Sequence, residues 1–461
     1  MSASRRHFLK QTGAVAMGFA GLRSLFGMGA LPRPVPVGYG PLQPDPRGVF
    51  DLPKGFSYRI ISRYGDEMDD GFVVPHRADG MAAFPGPDGQ TLLLRNHEVN
   101  AGDGIEEGAF GPGGERIARL AAERFYDAGR AGAHPALGGV TTLAYDTQRQ
   151  ETRRQHLSLA GTIRNCAGGP TPWNTWITCE ETVLRAGDRW RKDHGYPFEV
   201  PATTDPAVAP PVPLTAMGRF NREAVAVDPA SGAVYQTEDR HDGLLYRFLP
   251  DTPGELERGG RLQALAVGGR PSLDTRNWQD ERTVVPGEAM HARWIDVGDV
   301  EAPEDDLRYR GFENGAARFA RGEGIWMGDE DVFFACTNGG RIQKGQIWRY
   351  TPSPHEGTPR EADAPGRLEL FVEPNDPGLI DNADNLTVAP WGDVIACEDG
   401  SGDQYLAGVT PDGAIYKFAR NARDGDSELA GATFSPDGTT LFVNVQDAGL
   451  TLAITGPWKK G

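Results

Sequence analysis

Positive charge is scarce in this sequence, and no long run of lysine and arginine occurs in it. The 461 residues include 47 Lys and Arg against 64 Asp and Glu, which gives a formal net charge of −17. Such a chain repels DNA, RNA and anionic lipid over most of its surface. We therefore exclude nucleic-acid binding as the expected function.

Long apolar runs are also missing. The weakly apolar stretch at residues 12–26 is too short and too rich in Gly and Ala to span a bilayer. It follows the string SRRHFLK (residues 4–10), which is a twin-arginine motif. The pattern predicts a signal peptide over residues 1–30 that uses the twin-arginine translocase, and a periplasmic or secreted protein without stable membrane insertion. The alternative is a chance arginine pair before a short helix.

Turn-forming residues are abundant instead. The chain has 61 Gly and 36 Pro, which favours a fold with many turns over one with long helices. One hairpin unit recurs six times, with a polar or acidic start, a β run, a turn such as PDG or PASG, a second β run and a polar or acidic end. The copies span residues 78–98, 165–181, 223–240, 323–340, 384–400 and 431–446.

Further β runs follow several of these hairpins, as at residues 244–248, 346–350 and 414–418. Three or four strands per unit are typical of a propeller blade. We therefore predict an all-β, six-bladed β-propeller over residues 31–461, a single domain and a monomer, with loop and short helical insertions between blades. Residues 115–129 (ERIARLAAERFYDAG) predict one amphipathic helix among these insertions. A β-sandwich is the alternative fold.

Acidic residues fall at the two hairpin ends that meet in space, because a second strand returns to where the first began. The starts are Asp79, Cys166, Glu223, Glu323 and Asp384, and the ends are Glu98, Glu180/Glu181, Glu238/Asp239 and Glu398/Asp399. A ring of unpaired carboxylates at one mouth of the channel is unfavourable, and multivalent cations would neutralise it. The candidate metal ligands are Cys166, Glu223, Glu323, Asp384, Glu98, Glu181, Glu238 and Glu398. Solvated acids at loop ends are the alternative.

Cysteine is scarce as well, and four cysteines in an exported protein would first suggest two disulfides. However, Cys179, Cys336 and Cys397 fall at equivalent places near the end of a second strand, where a small buried apolar residue is expected. Cys166 occupies a start position among carboxylates, which favours a metal softer than calcium, such as iron. Packing, or a disulfide with Cys179, is the alternative.

Hydrogen-bond donors lie two residues before each start. They are Arg77, Arg164, Asn221, Arg321 and Asn382. Because residues i and i+2 share one face of a strand, we expect these donors beside the metal ligands, where they suit a tetrahedral oxyanion. The candidate catalytic residues are therefore Arg321, Arg164 and Arg77. The alternative is that each arginine neutralises a neighbouring acid.

At these residues the sequence resembles the PhoX family of bacterial alkaline phosphatases. The matching strings are the twin-arginine signal, RNHE (95–98), NCAGGPTPWNTWITCEE (165–181), GRFNREA (218–224), RGE (321–323) and TFSPDGTTLFVNVQ (433–446). The resemblance implies a six-bladed propeller that hydrolyses phosphate monoesters with Fe³⁺ and Ca²⁺ held through a bridging oxo group. It also implies metal binding by Cys166, Glu223, Glu323 and Asp384, with matches at Glu98 and Glu181, and phosphate contact by Arg321.

We therefore expect a phosphoric monoester hydrolase of the alkaline phosphatase type that acts on a small phosphoester. A metal-activated oxygen would attack phosphorus, and the three arginines would stabilise the developing charge. Two other functions stay open. A calcium-dependent propeller lactonase or esterase would leave Cys166 without a role, and a non-enzymatic periplasmic propeller would bind a protein or peptide.

Overall fold

Strands make up most of the regular secondary structure. The computed structural model describes residues 37–278, 282–423 and 427–459, so the twin-arginine segment lies outside the described residues. Among the described residues the only α-helix is α1 (Leu307–Glu313). No helix in this part of the chain combines the length and apolar character that crossing a membrane requires.

The described residues contain 27 strands, numbered in chain order. The first ten are β1 (Leu42–Gln43), β2 (Phe50–Pro53), β3 (Ser57–Arg63), β4 (Ala78–Pro85), β5 (Thr91–His97), β6 (Gly138–Asp146), β7 (Glu151–Thr162), β8 (Asn165–Pro170), β9 (Thr175–Glu180) and β10 (Pro197–Pro201). The next nine are β11 (Arg222–Val227), β12 (Val234–Glu238), β13 (Gly243–Pro250), β14 (Gly260–Val267), β15 (Ala289–Asp296), β16 (Arg318–Phe319), β17 (Gly322–Met327), β18 (Val332–Cys336) and β19 (Gln346–Thr351). The last eight are β20 (Arg367–Val372), β21 (Ala383–Val388), β22 (Val394–Glu398), β23 (Tyr405–Val409), β24 (Ile415–Asn421), β25 (Leu429–Phe434), β26 (Thr440–Val445) and β27 (Leu450–Thr455).

These strands form five antiparallel sheets. Four stand separately, in the orders β4-β5-β6-β7, β10-β9-β8, β25-β26-β27-β3 and β1-β2-β24-β23-β22-β21. The fifth has ten strands in the order β11-β12-β13-β14-β15-β20-β19-β18-β17, with β16 paired to β13. Pairing of β3 with β27 places an early strand beside the last one in one sheet, whereas β1 and β2 join the sheet of β24.

The prediction of a six-bladed propeller is therefore wrong, although the all-β class and a propeller-like arrangement are present. The strands expected for the third and fourth blades are joined in the ten-stranded sheet. The link is β15, which lies in the long excursion at residues 250–320 and pairs with β14 on one side and β20 on the other. The hairpin repeat could not reveal this connection because β15 belongs to no repeat.

Six first strands of hairpins surround a common axis. In the ring β4, β8, β11, β17, β21 and β25, each strand contacts the next, and β25 contacts β4. Glycine allows this close approach, since a Cβ at Gly80 would lie 2.5 Å from the Ala167 Cα and one at Gly324 would lie 2.7 Å from the Asn385 Cα. Residues of all six strands line an axial cavity of only about 10 Å³, which has room for about one water. The strands therefore leave no wide channel along the axis at this level.

The amphipathic helix predicted at residues 115–129 is absent. The segment forms two short 3₁₀ turns, Ile117–Arg119 and Ala122–Arg124, separated by extended backbone at Leu120. The reason is the tertiary position of the next residues, because the Tyr126 N–H donates to the Ala160 carbonyl at 3.0 Å and buries the Tyr126 ring. The backbone bond to the edge of β7 therefore stabilises an extended segment here, although the spacing of apolar residues in the sequence favours a helix.

Candidate metal centre

All six hairpins have the same backbone geometry at their open end. In each, a backbone N–H after the second strand donates to a carbonyl just before the first, as in the 2.9 Å bond from Glu98 N to the Arg77 carbonyl. Each first strand then slips its register, for example between Ala78 and Met81. Such a β-bulge re-aims side chains, and bulges are common beside active sites. Equivalent residues of the six hairpins therefore leave the backbone in equivalent directions.

Each hairpin presents three positions at the mouth, which we name donor, start and end. The donor position is held by Arg77, Arg164, Asn221, Arg321, Asn382 and Glu428. The start position, two residues later, is held by Asp79, Cys166, Glu223, Glu323, Asp384 and Ala430. The end position is held by Glu98, Glu181, Asp239, Thr337, Asp399 and Gln446.

Four of the donor residues have a left-handed backbone, with φ of 47° at Arg77, 53° at Arg164, 50° at Arg321 and 55° at Asn382. Non-glycine residues adopt this conformation rarely and at a conformational cost. Its recurrence at one repeat position shows that the surrounding hairpin imposes it, so these four side chains leave the backbone from the same conformation.

The side chains around the mouth form four overlapping groups of potential metal ligands. Within each group the ligand atoms lie within 4.8 Å of one another, and the groups are Glu98–Cys166–Glu181, Asp79–Glu98–Glu428, Glu223–Glu323–Asp384 and Asp384–Asp399–Glu428. We call these residues together with Asp239 the acidic ring. Six of the eight metal ligands predicted from the sequence meet here, namely Cys166, Glu223, Glu323, Asp384, Glu98 and Glu181.

The structure does not bring the other two predicted ligands, Glu238 and Glu398, to the ring. Glu238 accepts hydrogen bonds from the Tyr246 hydroxyl at 2.9 Å and the Leu244 N–H at 3.2 Å. Glu398 accepts from backbone N–H groups on the outer side and pairs with Lys417. Side chains alternate along a strand, so a one-residue error in register moves a carboxylate to the other side.

The neighbours Asp239 and Asp399 occupy the ring in their place. Asp239 lies 2.6 Å from Arg321 Nε, and Asp399 belongs to one of the four ligand groups. The sequence left Glu238/Asp239 and Glu398/Asp399 as pairs at the hairpin ends. The choice within each pair depends on the closing backbone bond, which the residue pattern does not show.

The hairpin repeat, as read from the sequence, does not predict Glu428 as a residue of the ring. Its carbonyl accepts the closing bond from Gln446 N at 3.2 Å, so it holds the donor position of the last hairpin. Taking Ala430 and not Gly431 as the start of that hairpin would have placed Glu428 two residues before it. An acid therefore stands where the other hairpins carry Arg or Asn.

The four cysteines are free thiols, and all are buried. This agrees with the cysteine positions, which argue against two disulfides, and it excludes the alternative of a disulfide between Cys166 and Cys179. Cys179, Cys336 and Cys397 lie on second strands in the core, as predicted. Burial, followed by the charge of Asp79, raises the pKa of the Cys166 thiol well above its usual value.

Negative charge exceeds positive charge throughout the ring. Nine carboxylates and one thiol face two guanidinium groups, those of Arg164 and Arg321, in the part of the chain that the structure describes. Burial is the first cause that raises the pKa of Glu223 and Glu323, and it raises the pKa of Asp384 to about 7, with the Asp399 charge next.

Glu223 is the clearest indication that the ring is suited to cations. It is fully buried, and neither of its carboxylate oxygens has a hydrogen-bond partner among the described residues. An unpaired buried carboxylate is strongly unfavourable, whereas oxygen-rich groups of this kind suit hard cations and a neighbouring thiolate suits a softer one. The residues present therefore fit a centre of several metal ions.

The two ring arginines each bridge two carboxylates. Arg164 contacts Glu98 and Glu181, each at 2.9 Å. Arg321 contacts Asp239 at 2.6 and 2.9 Å and Glu323 at 2.8 Å. About one third of the Arg321 side chain is still exposed, at 33%. These guanidinium groups therefore face both the ring and the solvent of the mouth.

The third predicted catalytic arginine does not join them. Arg77 turns outward to Asp103 and Asp447, with N–O distances of 3.9 and 3.7 Å. The donor position determines where the backbone of the arginine lies, but acidic residues on neighbouring loops determine where its guanidinium group lies.

The raised pKa values predict a stability that depends on pH and on metal. Between about pH 4, where carboxyls of the unfolded chain titrate, and pH 7, the pKa of Asp384, the folded metal-free protein binds more protons than the unfolded chain. The free energy of unfolding must then fall as pH rises. We expect the Tm of metal-free protein to drop by several degrees from pH 5 to pH 8 in scanning calorimetry, and excess Ca²⁺ to reverse the drop at pH 8. A Tm that stays constant or rises over this range would contradict the charge state assigned to the ring.

The chain is similar to known proteins in its sequence and in its fold. The chain matches the family described as Alkaline phosphatase PhoX over residues 37–449. It is similar to the structure of Pseudomonas fluorescens PhoX in complex with vanadate, a transition state analogue, with 19% identity, a TM-score of 0.66 and coverage of 91% of this chain and 97% of that one.

A weaker similarity joins it to two other proteins. A gluconolactonase from Xanthomonas campestris gives 11% identity and a TM-score of 0.37, with 92% of this chain and 100% of that chain covered. A regucalcin from Agrobacterium tumefaciens gives 11% identity and a TM-score of 0.40, with 87% and 97% covered. Comparison with curated protein sequences finds no match.

Proposed function

Since the chain belongs to the PhoX family of alkaline phosphatases, and is accordingly a metal-dependent phosphatase that hydrolyses small phosphate monoesters, we propose that the acidic ring is its catalytic centre. The observation that carries this proposal is the buried Glu223 carboxylate, which lacks any partner among the described residues and lies among other acids. An acidic chain needs a local positive centre to bind an anionic substrate, and cations in the ring provide one.

The chemistry of the ligands supports two kinds of metal. We propose Fe³⁺ at the Cys166 side of the ring, where a sulfur lies with Glu98 and Glu181, and Ca²⁺ among the all-oxygen groups such as Glu223–Glu323–Asp384. Bound there, the cations supply Lewis-acid charge for the phosphoryl oxygens and activate the attacking water. Iron would keep Cys166 deprotonated although burial alone favours the thiol.

Arg321 and Arg164 are proposed to bind and orient the phosphoryl group. A guanidinium presents several N–H donors in a planar fork that matches two phosphate oxygens. Arg321 uses its Nε and one terminal nitrogen on Asp239 and Glu323, and its exposed part faces the mouth. Charge that develops on the phosphoryl oxygens during transfer would thus meet donors already held in place.

Calcium removal tests the metal assignment. We expect prolonged chelation with EGTA to reduce hydrolysis of an aryl phosphate to background, because oxygen-ligated hard cations exchange more readily than a thiolate-bound iron. Elemental analysis should then find iron retained and calcium lost, and added Ca²⁺ should restore the rate. Full activity in protein shown to contain no calcium would refute a calcium role.

Residues 1–30 are proposed to direct export, with residues 31–461 as one mature, monomeric domain. The support is the string at residues 4–10 together with a metal centre, since the twin-arginine route carries proteins that have already folded. The variant Arg5→Lys/Arg6→Lys should leave the protein in the cytoplasm, because the arginine pair is the recognised feature. Immunoblots of cell fractions test this, and normal periplasmic delivery of the variant would disprove the export route.

A further inference from the structure

An aromatic corner lies beside Arg321 at the rim of the mouth. Arg321 is tied by its backbone to two chain segments, because its N–H donates to the Arg240 carbonyl at 2.9 Å and its carbonyl accepts from Thr337 N at 3.0 Å. The next residues of those two segments are His241 and Asn338. Consecutive Cα atoms are only about 3.8 Å apart, so both residues flank the arginine closely.

These two residues hold a tryptophan in place. The Trp278 indole N–H donates to the Asn338 carbonyl at 2.7 Å, and the Asn338 amide contacts His241 Nδ1 at 2.7 Å. The Trp278 and His241 rings lie 6.1 Å apart at 69°, so they form two walls of a corner and do not stack on each other. His241 is exposed and Trp278 is half-buried.

Arg276 supports the tryptophan from one face. Its guanidinium lies 4.0 Å from the indole ring and is fixed by Asp274 at 2.8 and 2.6 Å and by the His241 carbonyl at 3.2 Å. A cation over one face of an indole, with the ring edge anchored by a hydrogen bond, holds the ring in one orientation. The corner is therefore formed before any ligand binds.

We propose that this corner is a subsite for a planar heteroaromatic leaving group, of the nucleoside kind, on the phosphate ester. The inference rests on the proposed function, in which Arg321 binds the phosphoryl group. A phosphoryl group at Arg321 directs the rest of its ester toward the rim, and the rings of Trp278 and His241 offer a stacking surface there. Aromatic side chains bind nucleobases by stacking whatever the base, so Trp278 is a residue that determines specificity and not a catalytic residue.

Two esters with the same reacting bond test the subsite. Adenosine 5′-monophosphate and ribose 5-phosphate both release a primary alcohol of ribose, so their intrinsic reactivity is alike and only the base differs. We expect wild-type holoenzyme to favour the nucleotide by about 10-fold in kcat/KM, mainly through KM, and Trp278→Ala to remove this preference while its rate on ribose 5-phosphate stays unchanged. Trp278→Phe should keep most of the preference.

Trp173→Ala is the matched control. Trp173 is also a half-buried tryptophan with a bonded indole N–H, which donates to Glu199 at 2.6 Å, but it lies in the β8–β9 turn at the opposite end of the hairpin. Its removal should leave the ratio of the two esters at the wild-type value. A wild-type ratio near one, or a ratio that survives Trp278→Ala, would overturn the subsite.

A binding measurement separates this proposal from the proposed function. Adenosine, which has the base and no phosphate, should bind wild-type enzyme in calorimetry and lose at least about 10-fold in affinity in Trp278→Ala. If neither ester is hydrolysed, the proposed function fails, and the adenosine titration still decides the subsite. No difference in adenosine affinity between wild type and Trp278→Ala would refute it.

Discussion

Glu223→Gln should abolish most phosphatase activity and at the same time stabilise the metal-free protein. The glutamine keeps the volume of the side chain but removes a negative charge that is fully buried without a hydrogen-bond partner among the described residues. Loss of a carboxylate ligand weakens the cation site, and a cation is worth several kcal/mol in the transition state, so we expect kcat/KM to fall on the order of 1000-fold. Calcium content per chain should fall with it.

The effect on stability has the opposite sign. Without metal, Glu223 must be either protonated or an uncompensated buried charge, because burial and the neighbouring Glu323 raise its pKa. Glutamine needs neither state, so the Tm of metal-free protein at pH 8 should rise in Glu223→Gln relative to wild type. Opposite changes in activity and Tm cannot come from general damage to the fold.

Glu238→Gln is the matched control for this experiment. Glu238 is also a buried glutamate on the next strand, with a pKa raised to about 7 first by burial, but its carboxylate meets Tyr246 and Leu244 outside the ring. A glutamine oxygen can accept the same two bonds, so metal content and kcat/KM should stay near wild type. If Glu238→Gln removes the metals and Glu223→Gln does not, the placement of Glu223 in the ring and of Glu238 outside it is wrong.

The chemical identity of the ring could be predicted from the sequence because it depends on a repeat. Strand pairing brings the start and the end of every hairpin together, so six of the candidate carboxylate and thiol ligands can be predicted from the spacing of acids relative to PDG-type turns. The repeat could not decide between Glu398 and Asp399, because the deciding feature is the backbone bond that closes the hairpin, from Asp399 N to the Asn382 carbonyl. Neighbouring residues of a strand face opposite sides, and the residue pattern does not mark which of the two follows this bond.

Two further features depend on contacts outside the repeat. The ten-stranded sheet exists because β15, in a long insertion, pairs with both β14 and β20. The repeat predicts Arg77 as a phosphate donor because it lies two residues before a start position, but Asp103 and Asp447 on neighbouring loops draw it outward. Position along a strand is local and predictable, whereas the partner of a long charged side chain is set by segments distant in sequence.

Arg321→Ala should leave the metals bound and weaken transition-state binding. Arg321 is the donor that contacts both Asp239 and Glu323 while a third of its side chain remains exposed to the mouth. Loss of charge-assisted donors to a developing phosphoryl charge costs about 2–4 kcal/mol, which is a fall of roughly 30- to 1000-fold in kcat/KM. The inhibition constant of inorganic phosphate should rise as well. Arg321→Lys should recover only part of the loss, because an ammonium keeps the charge but lacks the fork.

Arg77→Ala is the control that separates the effect of losing the guanidinium group from the effect of changing a residue with a left-handed backbone. Arg77 and Arg321 hold the same donor position with φ of 47° and 50°, so any strain relieved or created by alanine is common to both variants. Because Arg77 faces Asp103 and Asp447, its loss should change kcat/KM by less than about twofold, as exposed ion pairs contribute little. The difference in kcat/KM between the two variants then depends only on where the guanidinium group lies.

A measurement of metal content distinguishes the two possible roles of Arg321, which are phosphate binding and neutralisation of the acids. Removal of this arginine leaves Asp239 and Glu323 without their cationic partner, which makes the ring more negative and should strengthen cation binding. Glu323→Gln removes a ligand from the Glu223–Glu323–Asp384 group and should lower metal content together with activity. If elemental analysis finds Arg321→Ala as depleted of metal as Glu323→Gln, then Arg321 is a counter-charge that holds the acids together. The assignment of phosphate binding to Arg321 and Arg164 would then be wrong, even for an enzyme whose phosphatase activity stands.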